Sequence, residues 1–332
     1  MGGNVFKDNK RMESKQEFYS VYGKQHKFLS SNNIYEFIEL PRQIESKTSF
    51  GDMDLVVNIN KLETYKSKLI AAGYPVSCNG IVLSYQTPEK YQIDLIGIGK
   101  WKLDYALRYF SFGDHANILG KLISYHFSLK HSFNGLYYSF VKDSGNFKNN
   151  IFLSLDYVDA LDLLGLSHYK FIEGFATEEE IFEWIYESPL MNTTIFDFDK
   201  MTNRDATRDR KRKFYNSWLD FLKTKEPKVV ERLTKEECDN ILEKNFEGFK
   251  QAKDSLEMHY KLLCEYREKF NGNIVKEISG FEGKKLGNLM KNLKELLPEY
   301  KVRHMTSEEV KDFIKNQLTF NLLIAIDEND LP

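Results

Sequence analysis

The chain has 332 residues, 42% of them hydrophobic, so it is long enough to bury a sizeable core in one large or two to three small domains. Its 47 basic and 49 acidic residues nearly cancel, which excludes a global positive field and leaves any nucleic-acid contact to local patches. The three cysteines lie far apart and no apolar run approaches about 18 residues, which argues against disulfides, structural zinc and membrane anchoring and favours a cytoplasmic location.

The first elements predict a small α+β unit over residues 1–112. Ser14-Lys-Gln-Glu17 has the pattern of a capping box and predicts a helix that ends near Leu29. Residues 34–40 have the composition of a strand. Asn60-Lys-Leu-Glu63 predicts a second helix that ends near Ala72.

Two acids open the strand that is predicted between these helices. In Ser49-Phe-Gly-Asp-Met-Asp-Leu-Val-Val57, Asp52 and Asp54 occupy positions i and i+2 and therefore point to the same face. Aspartate is unfavourable in strands and costly beside apolar residues unless a positive partner compensates. A divalent cation is the simplest such partner, and hard oxygen ligands suit Mg²⁺ or Mn²⁺.

A third acid lies in a predicted hairpin of two β-rich runs, residues 80–85 and 91–98. Asp94 stands between two apolar residues, where a charge without a partner is costly. If its strand lies beside the first, three carboxylates converge and can bind two metal ions roughly 4 Å apart. The alternative is a common Gly-Asp turn whose second aspartate faces solvent; the apolar run after Asp54 and the third acid favour the metal site.

Gly51-Asp-Met-Asp54 followed by Leu-Val-Val, together with Asp94, resembles the nucleotidyltransferase superfamily that includes DNA polymerase β, poly(A) polymerases and CCA-adding enzymes. The resemblance implies a small mixed-sheet palm followed by mainly α-helical domains. It also implies that the three acids are catalytic metal ligands and that a nucleotide monophosphate passes from an NTP to a hydroxyl. Residues 41–54 and the opening Gly2-Gly-Asn-Val-Phe6 are similar to uncharacterised nucleotidyltransferases of large phages and viruses. The resemblance covers residues 1–190 and is strongest at 46–57.

One departure from the superfamily concerns phosphate binding. A Gly-Ser turn normally precedes the first acid, but this region is Leu40-Pro-Arg-Gln43. Arginine and lysine bind phosphate by charge, and arginine also by bidentate hydrogen bonds. The replacement candidates for phosphate contacts are Arg42, Ser46, Lys47, Ser49 and Gly51. The alternatives are an ordinary solvated turn or impaired triphosphate binding.

A middle helical domain that contains a hairpin is predicted over residues 113–226. Residues 114–126 form a capped helix with apolar positions at helical spacing. Asn117 and Lys121 share one face of it and, in the functional interpretation, contact the nucleotide from the side opposite the metals. A solvated helix face is the alternative.

The dense basic run of this domain precedes three aromatic residues, Phe214, Tyr215 and Trp218. Such a run combines charges that bind phosphate with rings that could stack on bases, although a basic solvated face with inward-packed rings is equally consistent with it. A further, C-terminal helical domain is predicted over residues 227–332. The candidate nucleic-acid ligands of the run are Arg204, Arg208, Arg210, Lys211, Arg212 and Lys213.

The sequence therefore predicts a metal-dependent nucleotidyltransferase with an NTP as substrate and Mg²⁺ or Mn²⁺ as cofactor. An RNA 3′ end, of tRNA or another RNA, is the expected acceptor, extended without a template. Transfer to a protein or a small molecule is the enzymatic alternative. A catalytically inactive relic that binds nucleic acid or protein is the alternative from another class.

Overall fold

The computed structural model describes residues 5–30 and 37–327, with side chains up to residue 319. Residues 2–4 of the opening motif and 34–36 of the first predicted strand lie outside the described residues. The chain forms two compact units: Met1–Ser139 with Asn150–Glu247, and Phe140–Asn149 with Gly248–Pro332. The division into domains at 112 and 226 stays a prediction.

Helices and two sheets both occur in the described residues, so the α+β class is confirmed. The strands are β1 (Ile38–Glu39), β2 (Asp52–Asn58), β3 (Val76–Asn79), β4 (Val82–Gln86), β5 (Gln92–Ile98), β6 (Leu129–Ser132), β7 (Gly135–Lys142) and β8 (Phe147–Ser154). The first five form a mixed sheet in the order β1-β2-β5-β4-β3, and the last three form a small sheet.

The helices follow and separate the strands. In the first unit they are α1 (Lys15–Ser30), α2 (Leu62–Ala71), α3 (Leu103–Phe110), α4 (His115–Phe127), α5 (Tyr157–Leu163), α6 (His168–Glu173), α7 (Glu178–Tyr186), α8 (Asn203–Asp209), α9 (Lys213–Lys223) and α10 (Lys235–Asn245). In the second they are α11 (Phe249–Lys269), α12 (Gly272–Ser279), α13 (Gly283–Leu296), α14 (Glu299–Arg303) and α15 (Ser307–Asp327). Crossing a membrane needs a longer apolar helix than any that the described part of the chain contains.

Local sequence signals account for several helix ends. The hydroxyl of Ser14 accepts a hydrogen bond from the Glu17 backbone amide at 3.1 Å and so caps α1 as predicted. The Glu17 carboxylate in turn accepts a hydrogen bond from the backbone amide of Glu13 at 2.6 Å. Helix α2 begins later than predicted because a 3₁₀ turn over 59–61 precedes it, and Asn58 rather than Asn60 caps that turn.

Apolar residues on both faces of the five-stranded sheet pack against helices. Strand β2 pairs in parallel with β5, which pairs antiparallel with β4, so the predicted hairpin is confirmed. On one face the sheet packs against α1 and α2 through a large apolar cluster that includes Met53, Leu55 and Ile93. The alternate residues face the other way, where Val56 and Ile96 pack against α3.

The second unit has its own core and its own ion pairs. Lys142 and Arg267 bind Glu257 and Asp143 at 2.9 and 3.5 Å, which ties the hairpin tip 140–149 to α11. Such exposed pairs contribute little stability, so the apolar core must hold the unit together. That core consists of Phe270, Val275, Leu289, Leu293, Leu297, Val302, Val310 and Ile314.

Two buried histidines lie in the aromatic core of the first unit. The Nε2 atom of His115 lies 2.7 Å from the hydroxyl of Tyr157, and the ring of His131 packs 5.4 Å from the Tyr157 ring. Burial lowers the pKa of His115 to about 3 and the pKa of His131 to about 4. Both rings are therefore neutral in the folded protein near neutral pH.

Because both histidines are neutral when folded, we predict that their contribution to the stability of the first unit is lost in acid. Because the folded pKa lies below the unfolded value of about 6.5, stability is complete above pH 6.5 and is lost as pH falls toward 4. At pH 5 we expect a loss on the order of 2 kcal/mol from His131 alone. Thermal melting of wild type and His131→Leu at pH 7.5 and 5.0 measures it.

The substituted protein should lose less of its melting temperature on acidification than the wild type does. His26→Gln, at a half-buried position on α1 in the same unit, is the control and should behave as the wild type. Equal acid sensitivity in the wild type and His131→Leu would contradict the assignment.

Candidate metal centre

The three aspartates predicted as ligands lie together on two neighbouring strands. In the parallel register of β2 and β5, Asp54 stands beside Asp94, and Asp52 stands beside Gln92. One carboxylate oxygen from each aspartate lies within 4.8 Å of the others. We call Asp52, Asp54 and Asp94 the acidic trio. It occupies the face of the sheet opposite α1 and α2, because Met53 and Leu55 between and after the acids point to the other face.

The carboxylates of the acidic trio have limited contact with solvent, and one of their oxygens lacks a hydrogen-bond partner among the described residues. Asp52 and Asp54 are half-buried and Asp94 is buried. The Oδ1 atom of Asp54 is buried and has no hydrogen-bond partner among the described residues. A buried carboxylate oxygen without a partner is costly, so this position needs a compensating cation or proton.

Burial and the proximity of the three negative charges raise the pKa values of Asp54 and Asp94. Burial, with the negative charges of Asp52 and Asp94, raises the pKa of Asp54 to about 7. Burial also raises the pKa of Asp94, although hydrogen bonds from Ser84 and Gln92 partly offset the rise. The three residues offer hard oxygen ligands and an orphaned buried oxygen, a combination that fits a divalent cation such as Mg²⁺ or Mn²⁺.

An arginine that the sequence analysis missed lies at the entry to β2. The backbone of Met12 pairs with that of Phe50 through two hydrogen bonds of 2.9 Å, which brings the preceding Arg11 against Gly51. A Cβ atom at position 51 would lie only 2.9 Å from a terminal nitrogen of Arg11. Gly51 thus lacks a side chain where the guanidinium must approach. No local motif marks Arg11, because the pairing joins segments far apart in sequence.

Ser49 and Lys47 lie beside the same arginine. The Nε atom of Arg11 donates to Ser49 Oγ at 2.9 Å, and that hydroxyl donates to Glu13 at 2.9 Å. The pKa of Lys47 is lowered because desolvation outweighs the attraction of Asp52 and Asp54. Its ammonium group is thus near enough to interact electrostatically with both carboxylates, and Arg11 adds a repulsive charge.

Two other candidate phosphate ligands take part in the loop structure. The guanidinium of Arg42 donates to the carbonyls of Ile172 and Glu173 at 2.6 and 2.8 Å, at the C-terminal end of α6. The backbone amide of Ser46 donates to Ala176 at 2.7 Å, and its side chain is exposed. Arg42 is thus occupied as a helix cap, where a cation is favourable. A phosphate role for either residue stays a prediction.

Asn117 and Lys121 lie on α4, as predicted, and both contact a buried aspartate. Lys121 pairs with Asp209 at 3.0 Å, and the Asn117 amide donates to the same carboxylate at 3.4 Å. Asp209 is buried, and its pKa is lowered by hydrogen bonds from Arg208 and Lys121, which outweigh the effect of burial. These contacts give both residues a structural function, and nucleotide contact stays a prediction.

Three arginines of the basic run have partners within the fold, although Arg208 and Arg210 are also exposed. Arg208 binds Asp209 at 2.9 Å, Arg212 binds Asp114 at 2.9 Å, and Arg210 lies over the ring of Phe198. The remaining cations, Arg204, Lys211 and Lys213, are exposed. The three aromatic residues that follow, Phe214, Tyr215 and Trp218, are buried in the core and do not present rings to solvent.

Neither a scan of protein-family models nor a search of curated proteins found a match to this chain.

We predict that metal affinity at the acidic trio depends on pH. A metal ion needs ionised carboxylates, so protons compete with it below the Asp54 pKa of about 7. The dissociation constant for Mg²⁺ should rise by up to about tenfold per pH unit below 7. Calorimetric titration at pH 5.5, 6.5 and 8.0 measures it.

Without metal, the contribution of Asp54 to stability should vary with pH in the opposite direction. The folded pKa of Asp54 lies above its ordinary value of 3.8, so the contribution of Asp54 to stability without metal falls as pH rises from about 4 through 7, opposite in sign to the contribution of the buried histidines. Mg²⁺ should therefore raise the melting temperature more at pH 8.0 than at pH 5.5. Asp54→Asn should abolish this difference, and an Mg²⁺ affinity that does not vary with pH would refute the assignment.

Proposed function

We propose that this protein is a metal-dependent nucleotidyltransferase that transfers a nucleotide monophosphate from an NTP to a hydroxyl group. The observation that carries the proposal is the acidic trio, in which three carboxylate oxygens lie within 4.8 Å of one another. The mixed sheet and the Asp-x-Asp pair at the start of β2 support it.

The aspartates have distinct roles in the proposed reaction. Asp52 and Asp54 would hold the metal ions that accompany the triphosphate, and Asp94 would complete the site beside the acceptor hydroxyl. Bound Mg²⁺ or Mn²⁺ would lower the pKa of that hydroxyl and neutralise charge on the triphosphate and its leaving group. Phosphoryl transfer depends mainly on positioning and charge stabilisation, so the protein needs no side-chain nucleophile.

The basic side chains beside the trio supply a complementary anion site. Arg11 and Lys47 both lie close to the entry of β2, and Ser49 lies between Arg11 and Glu13. The positive charges of Arg11 and Lys47 fit the phosphates of an NTP. A bound phosphate would also offset the repulsion between these two cations. In this proposal Arg11 and Lys47 bind the phosphates in place of the missing Gly-Ser turn. Arg42 keeps its hydrogen bonds to the carbonyls at the end of α6.

For the acceptor we propose an RNA 3′ end that is extended without a template. Exposed cations on two segments support this choice, because phosphate contacts dominate affinity for nucleic acid. These cations are Arg204, Lys211 and Lys213 in the first unit and Lys284, Lys285, Lys291 and Lys294 on α13 in the second.

We predict that the purified protein incorporates label from at least one radiolabelled NTP into total RNA in the presence of Mg²⁺. Asp94→Asn should lower this incorporation by at least about a hundredfold. Loss of a residue that only hydrogen-bonds to a metal ligand can already cost about a hundredfold, and Asp94 is proposed as a ligand itself. Gel sizing of the products detects tailing of RNA, and parallel incubation with protein or small-molecule acceptors tests the other hydroxyl classes.

Asp220→Asn serves as the matched control, because Asp220 is an exposed acid on α9 that pairs with Lys223 of the same helix at 2.7 Å. This variant should retain full incorporation. If every acceptor class stays unlabelled and titration detects no metal-dependent NTP binding, the protein is not a nucleotidyltransferase. Incorporation retained by Asp94→Asn would mean that the third ligand is wrongly assigned.

A second prediction concerns Arg11. Loss of one charged hydrogen bond to phosphate should weaken NTP binding about tenfold in Arg11→Ala. Gly51→Ala should have a similar effect, because its methyl group would displace the guanidinium. Calorimetric titration of NTP with Mg²⁺ measures both variants.

Arg108→Ala is the control for loss of an arginine. Arg108 pairs with Asp104 within α3 at 2.8 Å, and its replacement should leave NTP affinity unchanged. Inorganic triphosphate should compete with the NTP for the wild type and less well for Arg11→Ala. Unchanged NTP affinity in Arg11→Ala would exclude Arg11 from the phosphate site.

A further inference from the structure

A buried glutamine on β5 links the acidic trio to the beginning of the chain. Gln92 is only 1% exposed, and its Nε2 atom donates to both oxygens of Asp94, at 3.0 and 3.1 Å. Its Oε1 atom accepts from the side chain of Asn9 at 2.7 Å and from the backbone amide of Val5 at 3.1 Å. A single amide thus joins a predicted metal ligand to residues more than eighty positions away.

The backbone amide of Val5 fixes the direction of this linkage. A backbone N–H can only donate, so the glutamine must present its oxygen to Val5 and its NH₂ group to Asp94. Asp94 then accepts with both oxygens, which favours its ionised form and holds its plane in one orientation. An ionised carboxylate that is held in a fixed orientation is also what a metal ligand requires.

A second glutamine supports the outer end of the linkage. Gln86 stands opposite Gln92 in the register of β4 and β5 and is 3% exposed. Its Nε2 atom donates to Asn9 at 2.8 Å and to Asp8 at 2.9 Å. We call Asn9, Gln86 and Gln92 the amide relay and residues 5–12 the N-terminal segment.

We propose that Gln92 is a positioning residue for Asp94 and that, through the amide relay, order in the N-terminal segment and metal binding at the acidic trio stabilise each other. The proposal rests on the metal site of the proposed function. Partners behind a metal ligand orient it, and their loss commonly weakens metal binding by about 10- to 100-fold.

The coupling must be reciprocal. If the segment strengthens metal binding by some factor, bound metal must favour the ordered segment by the same factor. The segment also places Arg11 against Gly51, so the relay connects the metal ligand and the neighbouring cation through one stretch of chain.

The test measures Mn²⁺ binding to the full chain by calorimetry and by electron paramagnetic resonance. Gln92→Met keeps the side-chain volume but removes both hydrogen-bonding ends, and should weaken Mn²⁺ binding about tenfold and change the spectrum of the bound ion. Asn9→Ala should produce a smaller loss. Hydrogen exchange should show that Mg²⁺ slows exchange in the N-terminal segment of the wild type but not of Gln92→Met.

Gln25→Met is the matched control. Gln25 is a buried glutamine of the same unit that accepts a hydrogen bond from Tyr85 at 2.9 Å, so its loss destabilises the fold without removing a contact to Asp94. Melting in chelator gives the fold stability of every variant. Gln25→Met should bind Mn²⁺ as the wild type does, whatever stability it loses.

The outcomes separate the two proposals. Wild-type Mn²⁺ affinity and spectrum in Gln92→Met would overturn the relay and leave the metal site intact. Absence of Mn²⁺ binding to the wild type would overturn both the proposed function and the relay. If Gln92→Met does not fold, the Asn9→Ala variant decides between the outcomes. Weaker Mn²⁺ binding, together with loss of the Mg²⁺-dependent slowing of hydrogen exchange in the N-terminal segment, supports the relay. Wild-type Mn²⁺ affinity and exchange overturn it.

Discussion

The parallel pairing of β2 with β5 is the constraint on which the candidate site depends. Side chains alternate between the two faces of a strand, so the register that places Asp54 beside Asp94 fixes the face of every neighbour. A shift by one residue would send the acids into the apolar layer under α1 and α2. The acids and the apolar residues under α3 therefore lie on the same face of the sheet, where Val56 and Ile96 continue the rows that begin with Asp54 and Asp94.

Sequence reasoning predicted the features that local chemistry determines. The hairpin of β4 and β5 follows from turn residues, the cap of α1 from Ser14, and helix α4 from apolar periodicity, although the predicted cap Asp114 makes no side-chain capping hydrogen bond at the start of α4. The three acids could also be chosen, because charged residues inside apolar strands need a partner. The insertion of β5 between β2 and β4 could not be derived, since it depends on pairing between distant segments. Arg11 could not be predicted from the sequence for the same reason, because it is the pairing of Met12 with Phe50 that brings Arg11 beside Gly51.

The charges around the acids show how the fold tolerates an unfavourable cluster. Three carboxylates on one face repel one another, and burial adds a desolvation penalty that raises the pKa of Asp54 and of Asp94. Hydrogen bonds from Ser84 and Gln92 reduce that penalty for Asp94, and the ammonium of Lys47 reduces it for Asp54. The neighbouring groups attenuate the repulsion without removing it, which leaves negative charge that a divalent cation could balance.

The burial of Asp209 changes how charge along the basic run should be interpreted. Its carboxylate is surrounded by Lys121, Arg208 and Arg212, so three cations from two separate segments share one internal counterion. Charge density counted along the sequence therefore overstates the electrostatic potential that this region projects into solvent. Neutralising Arg208 or Arg212 would remove a partner of the buried Asp209 carboxylate, so a resulting loss of polyanion binding could arise from destabilisation of the fold.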